Sequence, residues 1–185
     1  MESYIVLLRG INVGGKNKVS MGELRKCLEE LGCSNVKTYI NSGNVLLQTN
    51  MDSSTLSQKI ESILPQRFDL DSSVIKVLVL TVNQLQAIVD NKPKGFGEYP
   101  DRFHSDAIFL IGLVTSEAMK VFDPRVGVDK IWPGKGVVYS QRLSSVRTKS
   151  RLGKIIGTAI YQSMTIRSWN TTTKLLLLVK ATEPK

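Results

Sequence analysis

The run Tyr4-Ile-Val-Leu-Leu8 constrains this chain more than any other feature: five apolar residues without a polar break, closed by Arg9-Gly10. That length suits a strand, and the missing alternation means that neither face is left to water. It predicts the central strand of a covered sheet. The residues that follow have to supply its neighbours and its cover. Residues 10–19 are rich in Gly and Asn and read as a loop. Ser20-Met-Gly-Glu23 has capping-box spacing, and Leu24, Cys27, Leu28 and Leu31 recur at helical intervals until Gly32 supplies a left-handed stop. Residues 36–40 and 45–48 are strand-like, joined by the hairpin-type turn Asn41-Ser-Gly-Asn44. A second helix is expected from Asp52 or Ser53, with Leu56, Ile60, Ile63 and Leu64 on one face and Pro65 disturbing its last turn. Residues 74–80 are a further strand, which completes the order of a split βαβ unit.

The same order is expected again. A short helix at 82–90 and a Pro/Gly-rich loop at 92–100 lead to a strand at 107–111 and a short helix at 115–122. Residues 130–132 and 137–140 suggest a hairpin turning at Pro133-Gly134. A longer helix at 150–162 would face Leu152, Ile155, Ile156, Ala159 and Ile160 inward, ahead of a short strand at 165–167 and a terminal helix at 171–181. No residue-level repeat accompanies this, so the duplication is one of topology. The expected fold class is therefore α+β, with two ferredoxin-like (α/β-plait, βαββαβ) subdomains and mostly antiparallel sheets. The expected boundaries are 1–81 and a basic second subdomain, 82–185.

Charge separates the two halves. The net charge is +9, yet residues 1–90 hold nine Lys/Arg and nine Asp/Glu, whereas residues 91–185 hold sixteen against seven. From 130 to 182 there is no Asp or Glu at all, but ten Lys and Arg. An excess confined to one half points to an anionic partner there. Its densest part is Arg142, Arg147, Lys149, Arg151 and Lys154, a candidate polyanion site. These cations overlap an expected helix start, where they would oppose the helix dipole unless an anion is present. Trp132, Tyr139 and Tyr161 could stack bases or could equally be core.

The loop Gly10-Ile-Asn-Val-Gly-Gly-Lys-Asn-Lys18 lies between a buried strand and a capped helix. Its amides could form an anion nest, with Lys16 and Lys18 adding charge, or its glycines could serve turn geometry alone. It is neither a Walker loop nor a dinucleotide fingerprint. The loop after the first strand and the turn at 41–44 are expected at opposite ends of the sheet, and so not in one site. Near the C-terminus, Asn170 or Thr171 is a natural N-cap, Trp169 a buried anchor and Lys174 an exposed cation.

Catalytic constellations are scarce. His104 is the sole histidine; Cys27 and Cys33 have no evident basic partner. No C-x-x-C, H-E-x-x-H or G-x-S-x-G occurs, and Asp101, Asp106, Asp123 and Asp129 form no recognisable pair. No metal or nucleotide-cofactor motif is found, and the cofactor is left unknown. Two thiols, the absence of a basic n-region before Tyr4, and a longest apolar run of only 175–179 favour a soluble, cytoplasmic, non-membrane protein.

Arg9-Gly-Ile-Asn-Val-Gly-Gly15, with Met21, Leu24 and Ser42-Gly-Asn44 after it, resembles a widespread bacterial family of unknown function. Arg167-x-Trp169-Asn-Thr171, followed by Lys174-Leu175, is similar to that family's second signature, with Ser168 where Asn is frequent. The resemblance covers essentially the whole chain and implies two α/β-plait subdomains; it carries no catalytic role with it. It raises the weight of a binding role for the first loop. Three functions stay open. One is a nucleic-acid or other polyanion binder acting through the second half. Another is an enzyme or sensor for a small phosphorylated or carboxylated ligand held between the halves. That site would use Arg9, Asn12, Gly14, Gly15, Lys16 and Lys18 from one side and Arg167, Asn170 and Lys174 from the other. The third is a protein–protein interaction module.

Overall fold

The computed structural model describes residues 1–71 and 75–182. The chain forms two compact units, Met1–Gln86 together with the segment from Lys174 on, and Ala87–Thr173. The division therefore falls five residues later than 81/82, and the C-terminal segment groups with the first unit rather than the second.

In the first unit the elements are β1 (Glu2–Arg9), α1 (Met21–Glu30), β2 (Ser34–Tyr39), β3 (Asn44–Thr49), α2 (Ser53–Arg67) and β4 (Lys76–Thr81). They build a four-stranded sheet of order β2-β3-β1-β4. All three pairings are antiparallel. The expected strand at 74–80 is seen from Lys76; Val74 lies outside the described residues. Central β1 is buried from Tyr4 to Leu8, as its unbroken apolar run requires. Tyr4, Val6 and Leu8 join Leu24 and Leu28 of α1 and Leu56, Ile60 and Leu64 of α2 in one core. Helix α2 is capped by Asp52, whose carboxylate accepts the Ser54 and Thr55 amides, and it runs past Pro65 to Arg67. Ser20 precedes α1, but its hydroxyl makes no cap bond, so the capping box foreseen at Ser20–Glu23 does not form. Glu23 instead pairs with Lys26, 3.0 Å away. Gly32, at φ +87°, does end the helix.

The second unit repeats the strand order. It contains the end of α3 (Val82–Asp90), then β5 (Phe103–Leu110), α4 (Thr115–Met119), β6 (Asp129–Gly134), β7 (Val137–Leu143) and β8 (Met164–Ser168). The sheet order is β6-β7-β5-β8, again with antiparallel pairings throughout. Pro133 and Gly134 belong to β6 and pair with Val138 and Val137, so the hairpin turns at Lys135-Gly136 and not at Pro133-Gly134. Proline is tolerated there because β6 is an edge strand.

The largest departure is the helix expected at 150–162. Residues 144–163 form three short 3-10 turns: Ser144–Lys149, Leu152–Gly157 and Ala159–Ser163. Leu152 and Ile155 are buried as foreseen, whereas Ile156 is 63% exposed. Gly153 and Gly157 interrupt the segment, and each costs a helix about 1 kcal/mol relative to Ala. The final helix, α5 (Trp169–Lys180), begins two residues earlier than foreseen. Its N-cap is Ser168, whose hydroxyl accepts the Thr171 amide at 3.2 Å, rather than Asn170 or Thr171.

Candidate anion-binding site

In the first unit the two signature loops meet. β1 and β2 both run antiparallel to β3, so they point the same way. The end of β1 and the β2–β3 turn therefore share one end of the sheet, which corrects the expectation of opposite ends. The register pairs Leu7 with Asn44, and the Leu8 amide donates to the Gly43 carbonyl at 2.8 Å. Gly43 sits at φ +74°, and a Cβ there would come within 2.7 Å of Leu8 Cβ and 3.0 Å of Ile11 Cδ1. Here glycine is needed for close approach as well as for conformation. Beside it Ile40 holds φ +49°, a region that β-branched residues avoid.

Asn12 ties these loops together. Its amide nitrogen donates to the Val19 carbonyl at 3.0 Å and to the Asn41 carbonyl at 2.9 Å, while its amide oxygen accepts the Val19 N–H at 2.8 Å. Asn17 donates to the Gly10 carbonyl at 2.8 Å and accepts the Asp71 amide at 2.9 Å. Both Asn12 donors are thus spent on backbone, and the side chain acts as a staple. Gly14 and Gly15 have φ of +58° and +78°, with the Lys16 amide donating to the Val13 carbonyl at 3.0 Å. Positive φ at both central positions is the mark of a type I′ turn, and an added Cβ at either glycine would meet nothing within 4 Å. Lys16 and Lys18 are exposed. An open recess lies beside this turn, lined by Asn12, Gly15, Lys18, Ser20, Met21 and Asn41. The start of α1, without a side-chain cap, faces the same recess through Ser20 and Met21.

In the second unit the basic cluster is less free than its sequence implies. Arg142 Nη2 lies 3.4 Å from Asp106, whose other oxygen is 3.1 Å from His104 Nε2. Burial pushes the Asp106 carboxyl up, while His104 and Arg142 draw it back down. Arg151 and Lys154 reach Asp123 at 3.1 and 3.2 Å. The Lys154 hydrogen bond, followed by the charge of Arg151, holds that carboxyl below its ordinary value. Asp129 Oδ2 accepts the amides of Arg125 at 3.0 Å and Arg151 at 2.8 Å, which anchors the 3-10 segment. The pairing acids precede residue 130, so the acid-free run hid them. Arg147 and Lys149 remain exposed, with no acidic partner among the described residues. No α-helix starts here, so the expected conflict with a helix dipole does not arise. Of the aromatic candidates, Tyr139 is core: its hydroxyl donates to the Ile88 carbonyl at 2.7 Å, and its ring packs on Phe96. Trp132 also packs edge-on against Phe96.

The second signature divides between the units: Arg167 and Asn170 belong to the second, Lys174 to the first. Asn170 and Lys174 are exposed. Arg167 is 7% exposed and donates to Thr165 Oγ1 and the Ile166 carbonyl, both at 2.9 Å. Burial lowers its guanidinium to about 10. Trp169 is the buried anchor foreseen, stacked edge-on against Phe96 and Tyr139. Among the described residues no cluster of His, Cys, Asp and Glu is fit to hold a metal, and no helix is long and apolar enough to cross a membrane.

A mixed α+β chain with two four-stranded antiparallel sheets and paired loop signatures defines a class of protein without defining a reaction. The chain belongs to the family described as "Protein of unknown function (DUF1697)", whose model matches residues 1–139. It is similar to a solved conserved bacterial protein from Streptococcus pneumoniae, at 27% identity and a TM-score of 0.81, over 96% of this chain and 98% of that one. No curated protein matches it. The family and this neighbour place the chain among bacterial proteins of unassigned function.

Proposed function

We propose that this protein binds an anionic partner, a nucleic acid or another polyanion, chiefly through its second unit. One observation carries the reading: residues 87–173 hold thirteen Lys/Arg against seven Asp/Glu, six of the chain's excess of +9, and Arg147 and Lys149 stay exposed after Asp106 and Asp123 have paired with Arg142, Arg151 and Lys154. The architecture accords with this role. The antiparallel sheets of order β2-β3-β1-β4 and β6-β7-β5-β8 support a ferredoxin-like plait reading, a fold whose open sheets commonly serve binding. Two buried free thiols fit a reducing, cytoplasmic setting.

Anisotropy of a fluorescent 20-mer RNA or DNA titrated with the full chain tests it. Binding of the single strand at 50 mM salt should weaken about fiftyfold by 200 mM, as about four phosphate contacts at about 0.7 each require. No binding at 50 mM would end the proposal.

A second reading is favoured by the recess in the first unit. The N-terminal amides of α1, without a side-chain cap, and the Lys18 ammonium suit a small phosphorylated or carboxylated ligand. Inorganic phosphate and nucleotides should raise the melting temperature of the wild type but not of Lys18→Ala. Equal stabilisation of both would place the ligand elsewhere.

A further inference from the structure

One end of the second sheet gathers a partly exposed aromatic ring and cations that the internal ion pairs do not consume. Phe103 opens β5, with Arg102 Cζ 5.2 Å and Lys130 Nζ 5.9 Å from its ring centroid. The register explains the grouping. Phe103 pairs with Leu143, the last residue of β7, while Lys130, second in β6, pairs with Gln141. The Ser144 amide donates to the Arg102 carbonyl at 3.0 Å, so the 3-10 turn bearing Arg147 and Lys149 leaves from the same corner. Arg125 Nη1 donates to the Lys149 carbonyl at 3.3 Å and steadies that turn. Arg102, Lys130, Arg147 and Lys149 are exposed and Phe103 is half-buried. Acids at this corner are Asp101, exposed beside Arg102; Asp106, engaged by Arg142 and His104; and buried Asp129 beside Lys130, whose Oδ2 accepts the Arg125 and Arg151 amides.

We infer that this corner is a platform for single-stranded nucleic acid, with a base stacked on Phe103 and phosphates on Arg102, Lys130, Arg147 and Lys149. The inference rests on the proposed polyanion reading and narrows it. A solvated basic face has no use for an aromatic ring among its cations, and a duplex keeps its bases stacked away from such a ring. A single strand offers both a π-face and a phosphate within one nucleotide. Arg102 and Lys130 already lie near the Phe103 ring, so an incoming base would exchange with a cation that moves onto the adjacent phosphate.

The experiment compares a 12-mer oligouridylate and a duplex of equal length on the full chain at fixed low salt. Wild type, Phe103→Leu and Phe103→Tyr are measured, each checked for an unchanged melting curve. Phe103→Leu should lose about tenfold in affinity for the single strand and almost none for the duplex, since it keeps every charge. Phe103→Tyr, which keeps the π-face, should restore wild-type binding even if the leucine variant proves poorly folded. Equal single-strand affinity in Phe103→Leu and wild type would overturn the platform and leave the polyanion reading standing. Failure of the wild type to bind either probe would overturn both.

Discussion

The two units share one strand order and differ in what covers the sheet after the hairpin. In the first, α2 is fifteen residues long, is capped by Asp52 and puts Leu56, Ile60 and Leu64 on one face. In the second, the corresponding segment is three 3-10 turns, held by ion pairs and by the Asp129 carboxylate. A regular helix buries an apolar stripe and leaves its polar face to water. A string of short turns instead depends on side-chain and backbone polar bonds, and it leaves consecutive residues such as Arg147, Thr148 and Lys149 exposed. Topology is thus shared, and charged display is not.

The sharpest way to break this contrast is to remove core volume beneath each cover. Ile60→Ala should destabilise the chain by about 3 kcal/mol, because a helix locked on both flanks cannot close the cavity. Ile155→Ala, at a site of similar burial, should cost about half as much, because short turns can relax inward. Denaturant unfolding reads both, and equal costs would show the two covers to be mechanically alike.

A second test compares glycines across the units. Gly43→Ala and Gly97→Ala would press a Cβ to 2.7 Å from Leu8 Cβ and to 2.3 Å from Trp169 Cδ1, in addition to their positive φ. Each should lose about 2 kcal/mol or more. Gly14→Ala carries only the conformational penalty, about 1 kcal/mol. If all three melt alike, close packing at the loop junction and at the Trp169 pocket is not what demands glycine.

A third effect, confined to alkaline solution, is one of pH. Burial pushes the Tyr139 hydroxyl up to about 12. The folded state therefore keeps the proton where the unfolded chain, near 10, gives it up. The associated stability is complete below about pH 10 and is lost as pH rises toward 12. Tyr139→Phe should flatten that alkaline slope in pH-dependent melts. An unchanged slope would mean that other groups carry it.

What the sequence made legible follows from which forces were local. The unbroken run Tyr4–Leu8, the periodic leucines of α1 and α2 and the Gly32 stop each depend on residues within a few turns. The structure follows them closely. The 3-10 segment departs from its sequence pattern: Leu152, Ile155 and Ile156 have helical spacing, while Gly153, Gly157 and the distant Asp129 outweigh it. The site was half legible. Lys16 and Lys18 are exposed, but Asn12 is a staple, because its partners Val19 and Asn41 meet only through the sheet. Arg142, Arg151 and Lys154 are paired by Asp106 and Asp123, acids that lie 28 to 36 residues away in sequence.

The central claim, that the second unit is the anion-binding one, is tested most directly by the salt dependence of single-strand binding. The double variants Arg147→Gln/Lys149→Gln and Lys16→Gln/Lys18→Gln are each compared with wild type. The first should shrink the slope of log affinity against log salt by about 1.4, two phosphate contacts at about 0.7 each, while the second leaves it unchanged. A slope lowered by the Lys16/Lys18 pair and untouched by the Arg147/Lys149 pair would contradict the account.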